Sequence, residues 1–167
     1  MASPVLADTA TRDPLAVSFA ARGRWRPAIN PIRCKTGRDK TGRFRTMNLI
    51  AHVEIPVSDL ERAMCFYGAV FSVAFGEIVT IHENRMAFFP FQAGEDGASG
   101  ALAEGPVYVP SLEGAIPYLN VDDIDAALAR AVEAGGKVLF AKTPIGTGGF
   151  VAEIGDSEGN RIAVQAI

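Results

Sequence analysis

Hydrophobic and polar residues alternate along the chain from residue 49 to residue 57, and a helical pattern follows. The stretch LIAHVEIPV, residues 49–57, alternates with a period of two and therefore predicts a strand. Apolar side chains then recur at helical spacing from Leu60 to Phe71, and Ser58 with Glu61 three residues later is typical of a capping box. This part of the chain is thus predicted to form a strand, a turn and a helix.

The same order of elements is predicted a second time further along the chain. Strand composition is found in VAFGEIVTI, RMAFFPF and GALAEG, which are separated by turn residues. A new strand is then predicted in AIPYLNV, followed by Asp122 as a helix N-cap and by an amphipathic helix, DIDAALARAVEA, that ends at two glycines. Three last strands are predicted in KVLFAK, GGFVAEIGD and NRIAVQAI.

The two copies can be aligned at an offset of 64 residues, which places Val121 on Val57 and Ile124 on Leu60. This internal βαβββ repeat has a period too long for a solenoid. It predicts an α+β fold of two modules, about 48–105 and 113–167, whose sheets combine in one domain spanning 47–167.

The segment 1–46 differs in composition from the rest of the chain. It contains ten Lys or Arg and three Asp, whereas the remaining residues contain six basic and 16 acidic side chains. Because it also lacks periodicity, we predict that it is disordered. A basic arm that contacts nucleic acid or acidic lipid, an organelle transit peptide, and a non-native extension before a start at Met47 are all compatible with it; we favour the extension.

Composition also excludes several classes of protein. No apolar run reaches the roughly 18 residues that a membrane-spanning helix needs. The two cysteines, Cys34 and Cys65, form neither a disulfide framework nor a zinc motif, so we predict free thiols in the cytoplasm, with Cys65 buried beside the core. The domain, with six basic and 16 acidic side chains, is not predicted to bind nucleic acid or membrane.

The chain resembles the vicinal oxygen chelate superfamily, which includes glyoxalase I, bleomycin- and fosfomycin-resistance proteins and extradiol dioxygenases. The resemblance lies in HVEIPVSDLERAMCFYGAVF, YLNVDDIDAALARAVEAGGKV and DSEGNRIAVQ, and covers about residues 48–167. VPS before the second module resembles small bacterial glyoxalase-like proteins. The resemblance implies two βαβββ modules whose curved sheets form an open cup around a ligand site, and it implies a homodimer.

Strand alternation assigns the residues that would line such a cup, because successive side chains point to opposite faces of a sheet. With the β-branched positions packed on the helices, the residues predicted to face the cup on the first strand of each module and on the last strand are His52, Glu54, Pro56, Ile116, Tyr118, Asn120, Arg161, Ala163 and Gln165. On the third strand we predict that Ala87, Phe89 and Phe91 face the cup.

The resemblance also implies where metal-using members hold a divalent ion, with His or Gln on the first strand of a module and Glu on its last. His52 stands at such a position, but Ile116 and Ala163 stand at the equivalent positions of the second module. In the first module, residues 100–102 are glycine or aliphatic. Since catalytic sites use about three protein ligands, we predict no tightly bound Zn, Ni, Mn or Fe and no other cofactor.

Glu54 is the candidate catalytic residue. A carboxylate on a strand that lines a cavity is costly unless it is paired or partly wet. A structural pair with Arg161 or His52, and a role as general base or ligand anchor, are equally compatible with this position. His52 is predicted to line the pocket while hydrogen-bonded to Glu54 or Tyr118, and Tyr118 to orient a ligand.

Three functions remain open at this point. We favour the binding of a small organic ligand without a metal, through His52, Glu54, Phe89, Tyr118, Arg161 and Gln165. The alternatives are a metal-dependent lyase or isomerase of the glyoxalase I type and a non-catalytic regulatory or interaction module. The aliphatic residues at the metal positions count against the former, and the polar residues predicted in the cup count against the latter.

Overall fold

The computed structural model describes residues 49–94, 97–146 and 148–167. The predicted boundary at Met47 and the basic segment before it lie outside these residues. Within them, no helix is long and apolar enough to cross a membrane. The cytoplasmic location stays a prediction.

The first module has the predicted βαβββ order. Its elements are β1 (His52–Val57), α1 (Leu60–Phe71), β2 (Val79–Ile81), β3 (Asn84–Phe88) and β4 (Ser99–Glu104). The four strands form one sheet, here called the first sheet, in the order β1-β4-β3-β2. β1 runs parallel to β4, and the other neighbours are antiparallel.

The second module repeats this topology. It contains β5 (Tyr118–Asn120), α2 (Ile124–Glu133), β6 (Lys137–Ile145), β7 (Gly149–Gly155) and β8 (Arg161–Ala166). The second sheet has the order β5-β8-β7-β6, with β5 parallel to β8. The predicted α+β fold of two βαβββ modules is therefore confirmed.

One hydrophobic core joins the two modules. Ile55 and Val57 of β1 and Ile162 and Val164 of β8 are buried in it together with side chains from both helices, as the alternation of these strands predicted. The helices also contact each other directly, because the Arg130 side chain donates two hydrogen bonds to the carbonyl oxygen of Val70, at 3.0 and 2.7 Å. The modules thus fold as one unit around their helices.

Both helices begin one residue later than predicted. Asp59 and Asp123 are the N-caps, and their carboxylates accept from the backbone N–H groups of Arg62 and Ala126. Ser58 does not cap α1, because its hydroxyl donates to Glu158 instead. The prediction that Cys65 is buried is also wrong, since this residue lies on the exposed side of α1.

A carboxylate of the second module, Glu158, closes the N-terminus of α1. It accepts hydrogen bonds from the backbone N–H groups of Ser58 and Asp59, both at 3.1 Å, and from the Ser58 hydroxyl at 2.7 Å. The Arg62 guanidinium donates two more, at 2.8 and 2.7 Å. Burial of Glu158 opposes its charge, but these hydrogen bonds outweigh burial and lower its pKa to about 2. We call this contact the Glu158 clasp.

A second polar contact between the modules lies inside the core. The Tyr67 hydroxyl donates to Asp156 at 2.7 Å, and the Asn160 amide donates to the same carboxylate and to the carbonyl of Pro56, both at 2.8 Å. Burial, and then the charge of Asp156, raise the pKa of Tyr67 well above its ordinary value. Tyr67 therefore stays a hydrogen-bond donor throughout the physiological pH range.

Candidate functional site

The face of the first sheet that points away from α1 carries a polar cluster. His52 and Glu54 lie two residues apart on β1, with His52 Nε2 3.9 Å from Glu54 Oε1. The Tyr108 hydroxyl donates to Glu54 Oε2 at 2.6 Å. This hydrogen bond raises the pKa of Tyr108. Glu54 is therefore held in place by a connector residue, and His52, one of its two predicted partners, lies 3.9 Å away.

His52 is oriented by the neighbouring parallel strand. The register of β1 and β4 places Ser99 beside His52, and His52 Nδ1 lies 2.7 Å from Ser99 Oγ. Ser99 Oγ also lies 3.0 Å from the carbonyl oxygen of Ala51 and can donate to it. The second imidazole nitrogen, Nε2, faces Glu54.

Tyr108 and Ser99 were not predicted as site residues. Tyr108 lies in the connector between the modules, where the sequence has no periodicity that would indicate its neighbours. Ser99 lies one residue before the strand predicted from GALAEG, and only the β1–β4 register brings it to His52.

The second sheet carries a separate pair of charges on its corresponding face. Arg161 Nε donates to Glu153 Oε2 at 2.7 Å, and its Nη2 contacts the same oxygen. Glu153 is 6% exposed. It lies on β7 opposite Ala163, whereas Arg161 lies opposite Gly155. Arg161 is therefore paired with Glu153, which was not predicted, and not with Glu54.

Tyr118 and Gln165 lie on the predicted face of the second sheet. Tyr118 is 44% exposed, and the Gln165 amide donates to Asn120 Oδ1 at 2.8 Å. Gln165 Oε1 is buried and has no hydrogen-bond partner within the described residues. These residues therefore form a polar edge along β5 and β8.

The structure separates the three residues predicted to face the cup on the third strand, because Ala87 is buried in the core whereas Phe89 and Phe91 line the larger cleft described below. Ala87 lies opposite Leu102 on the buried helix face, and Phe89 packs against Tyr67 and Phe75, with ring centroids 5.6 and 5.2 Å apart. Phe88 lies opposite Ala101 and so shares the face of Glu54. Its ring is 6.1 Å from that of His52.

Two adjoining clefts lie between the modules. The larger has a volume of about 790 Å³, and its walls include Val53, Phe89, Ser99, Tyr118 and Asn120. The smaller has a volume of about 310 Å³, and its walls include Glu54, Val109, Ile116, Asn160 and Arg161. Four of the predicted ligand-binding residues thus line a cleft: Phe89 and Tyr118 line the larger one, and Glu54 and Arg161 line the smaller one. Within the described structure, His52 and Gln165 lie outside both clefts.

The residues at the implied metal positions do not fit a metal ion. The strand pairing places Ala101 beside Glu54 and Ala163 beside Tyr118, at equivalent positions of the two modules. Together with Ile116 they offer no lone pair, so His52 has no ligand partner at these positions. Over residues 49–94, 97–146 and 148–167, no three His, Cys, Asp or Glu side chains come together to hold a metal.

The sequence of the described domain matches a known family. Residues 49–164 match the family model of the Glyoxalase/Bleomycin resistance protein/Dioxygenase superfamily. The chain belongs to this superfamily. A search of curated proteins gave no match.

Solved structures of other proteins have the same fold. A glyoxalase/bleomycin resistance protein from Streptomyces sp. CB03234 is 26% identical with a TM-score of 0.51, over 70% of this chain and 99% of that one. A hypothetical protein of S. aureus is 20% identical with a TM-score of 0.55, over 73% and 96%. Glyoxalase I from Zea mays is 18% identical with a TM-score of 0.52, over 74% and 48%, so the chain spans about half of that protein.

Proposed function

We propose that this superfamily domain binds a small organic molecule in the clefts between its modules, without a tightly bound metal ion. The observation that carries the proposal is the larger cleft, whose volume of about 790 Å³ lies within the range of roughly 300–1,000 Å³ typical of ligand sites. Its walls are mostly apolar, with Ser99, Tyr118 and Asn120 as polar groups that can orient a ligand. Such a combination suits a partly apolar organic molecule.

The side chains at the implied metal positions support binding without a metal. Ile116, Ala101 and Ala163 cannot donate an electron pair, and a site completed by water alone would hold a divalent ion weakly. Lyase or isomerase chemistry of the glyoxalase I type therefore has no support from the side chains at these positions. If a bound ligand loses or gains a proton, Glu54 is the candidate group, because it borders a cleft and is already oriented by Tyr108.

The test is a thermal-shift screen of small organic molecules in the presence and absence of EDTA, combined with elemental analysis. A ligand at about 100 times its dissociation constant should add about 2.7 kcal/mol of stability, with or without EDTA. Tyr118→Leu should reduce this stabilisation, because Tyr118 lines the larger cleft. Phe150→Leu is the matched control, since Phe150 is a similarly exposed aromatic residue of the second sheet outside both clefts.

Two results would contradict the proposal. The absence of stabilisation by any compound would argue against ligand binding. A metal content of about one ion per chain, lost together with ligand binding in the His52→Ala variant, would support the metal-dependent alternative instead.

We also propose that the chain forms a homodimer. Phe91, Val107 and Val109 are 53, 77 and 72% exposed, and a second copy could cover this apolar area. β1 and β5 are edge strands of their sheets, and a second copy could cover them. Light scattering should give twice the chain mass, and Val107→Lys with Val109→Lys should shift the mass toward the monomer. A monomer mass for the unmodified protein over a wide concentration range would show that this proposal is wrong.

A further inference from the structure

The smaller cleft is lined by two carboxylates, those of Glu54 and Glu113, and by the guanidinium of Arg161. Glu54 comes from β1 of the first module and Arg161 from β8 of the second. The same cleft is also lined by the apolar side chains of Val109, Ile116 and Pro117. Glu54 and Arg161 form their ion contacts with other residues. Among the described residues, Glu54 has His52 within reach and Arg161 has Glu153. The two charges therefore face one cleft without neutralising each other.

Each of the two charged groups is held by a neighbour and still has capacity to bind. A carboxylate has about four lone-pair sites, and only one short hydrogen bond, from Tyr108, reaches Glu54. A guanidinium has five N–H donors in a planar fork. Glu153 contacts the Nε and Nη2 groups of Arg161, so the Nη1 donors are available to an anion. Glu153 is buried and Arg161 is 42% exposed, so the buried carboxylate holds the guanidinium at its Nε and Nη2 groups.

We propose that this cleft recognises a small zwitterion, with a cationic amine at Glu54, a carboxylate at Arg161 and an apolar chain between them. The inference rests on the proposed function and names the class of ligand. A carboxylate matches the guanidinium fork, and an ammonium group matches a carboxylate acceptor, so both ends gain charge-assisted hydrogen bonds. The apolar side chains that line the same cleft suit methylene groups.

The volume of the cleft restricts the size of this ligand. About 310 Å³ lies at the lower end of the range for ligand sites, which favours a molecule of amino-acid size. Since Glu54 and Arg161 are not in salt-bridge contact, the two charged groups of the ligand should be separated by several bonds. An ω-amino acid meets this condition better than an α-amino acid does.

The experiment compares δ-aminovalerate with its two singly charged relatives, pentylamine and valerate, by isothermal titration calorimetry or competition NMR. γ-Aminobutyrate and ε-aminocaproate test the separation of the charges. We expect the best zwitterion to bind at least tenfold more tightly than either relative, because each lost end removes one charge-assisted contact. Glu54→Gln should remove the advantage over valerate and leave valerate binding unchanged.

The role of Arg161 is tested with a double substitution that leaves no buried charge behind. In the double variant Glu153→Gln with Arg161→Gln, the zwitterion should lose its advantage of about tenfold in affinity over pentylamine. Arg85→Gln with Glu104→Gln is the matched control, because this is another Arg–Glu pair, at 2.6 Å, outside the cleft. If the double variant does not fold, Arg161→Lys keeps a charge for Glu153 and should weaken valerate and the zwitterion several-fold while sparing pentylamine.

The outcomes separate this inference from the proposed function. Equal affinity for the zwitterion and its singly charged relatives, or an unchanged advantage in both Glu54→Gln and the Arg161 variants, would overturn the zwitterion inference. If apolar compounds still bind, and Tyr118→Leu weakens their binding, the proposed function remains supported even though the zwitterion inference is wrong. If no compound of either screen binds, both proposals are wrong.

Discussion

Replacing Glu158 with glutamine should lower the free energy of unfolding by about 2 kcal/mol at pH 7. The Glu158 side chain has no exposed area and closes the N-terminus of α1 from the other module. Its pKa is lowered from 4.5 to about 2, which corresponds to about 3 kcal/mol of preferential stabilisation of the charged form. The expected loss is smaller than this value, because the Arg62 side chain that faces Glu158 is 51% exposed and is screened by solvent.

The effect should depend on pH in a defined window. Since the folded pKa of Glu158 lies below the unfolded one, its stabilisation is complete above about pH 4.5 and is lost as the pH falls toward about 2. Urea unfolding of the wild type and the variant, followed over this range, should therefore give midpoints that converge in acid. Glutamine keeps the size of the side chain but has no charge for Arg62 at any pH.

Glu61→Gln is the matched control for this experiment. Glu61 also lies in the first turn of α1 and also pairs with an arginine, Arg85, but its side chain is 61% exposed. Little change in the urea midpoint is expected, because an exposed ion pair contributes little. Equal losses in the two variants, or a Glu158→Gln effect that persists at about pH 2, would show that the Glu158 clasp does not act through its buried charge.

The paired modules could be predicted because the information for them is local. The offset between Val57 and Val121 identifies the repeat, and a period of two is enough to place Ile55 toward the helices and Glu54 away from them. Both faces were assigned correctly wherever one face of a strand was apolar and the other polar.

The third strand could not be assigned in the same way because both of its faces are apolar. Met86 is buried against Ala103 and Tyr108 on one side, and Ala87 is buried in the main core on the other. Alternation then has no polar residue to indicate which face of the strand points to the helices. The register with β4, which settles the faces, is a property of the folded sheet.

The partners of the charged residues were also beyond local patterns. Glu54 meets Tyr108 across 54 positions of the chain, and the Glu158 clasp joins residues about a hundred positions apart. Glu153 was not considered as the partner of Arg161, although the two lie on adjacent strands joined by the DSEGN turn. Extending the face assignment from the last strand to its neighbour would have placed both on one face.

Replacing Tyr67 with phenylalanine should lower the free energy of unfolding by about 2 kcal/mol, whereas the same replacement at Tyr108 should change it by less than about 0.5 kcal/mol. Both hydroxyls donate to a carboxylate, at 2.7 Å to Asp156 and 2.6 Å to Glu54. Tyr67 is fully buried and Asp156 is 7% exposed, so the lost donor leaves a buried carboxylate short of one hydrogen bond. Water can replace the Tyr108 hydroxyl, because Glu54 is 39% exposed.

Urea unfolding of both variants at pH 7 measures the difference, and phenylalanine keeps the packing of each ring.

The two substitutions should also separate effects on stability from effects on ligand binding. Tyr108→Phe should alter ligand binding at the smaller cleft with little cost in stability, because Tyr108 orients Glu54 there. Tyr67→Phe should cost stability and leave the affinity of the folded protein unchanged, since Tyr67 lies in the core. A large loss of stability at Tyr108 would mean that Glu54 is a structural residue, and its roles in proton transfer and in zwitterion binding would then lose their basis.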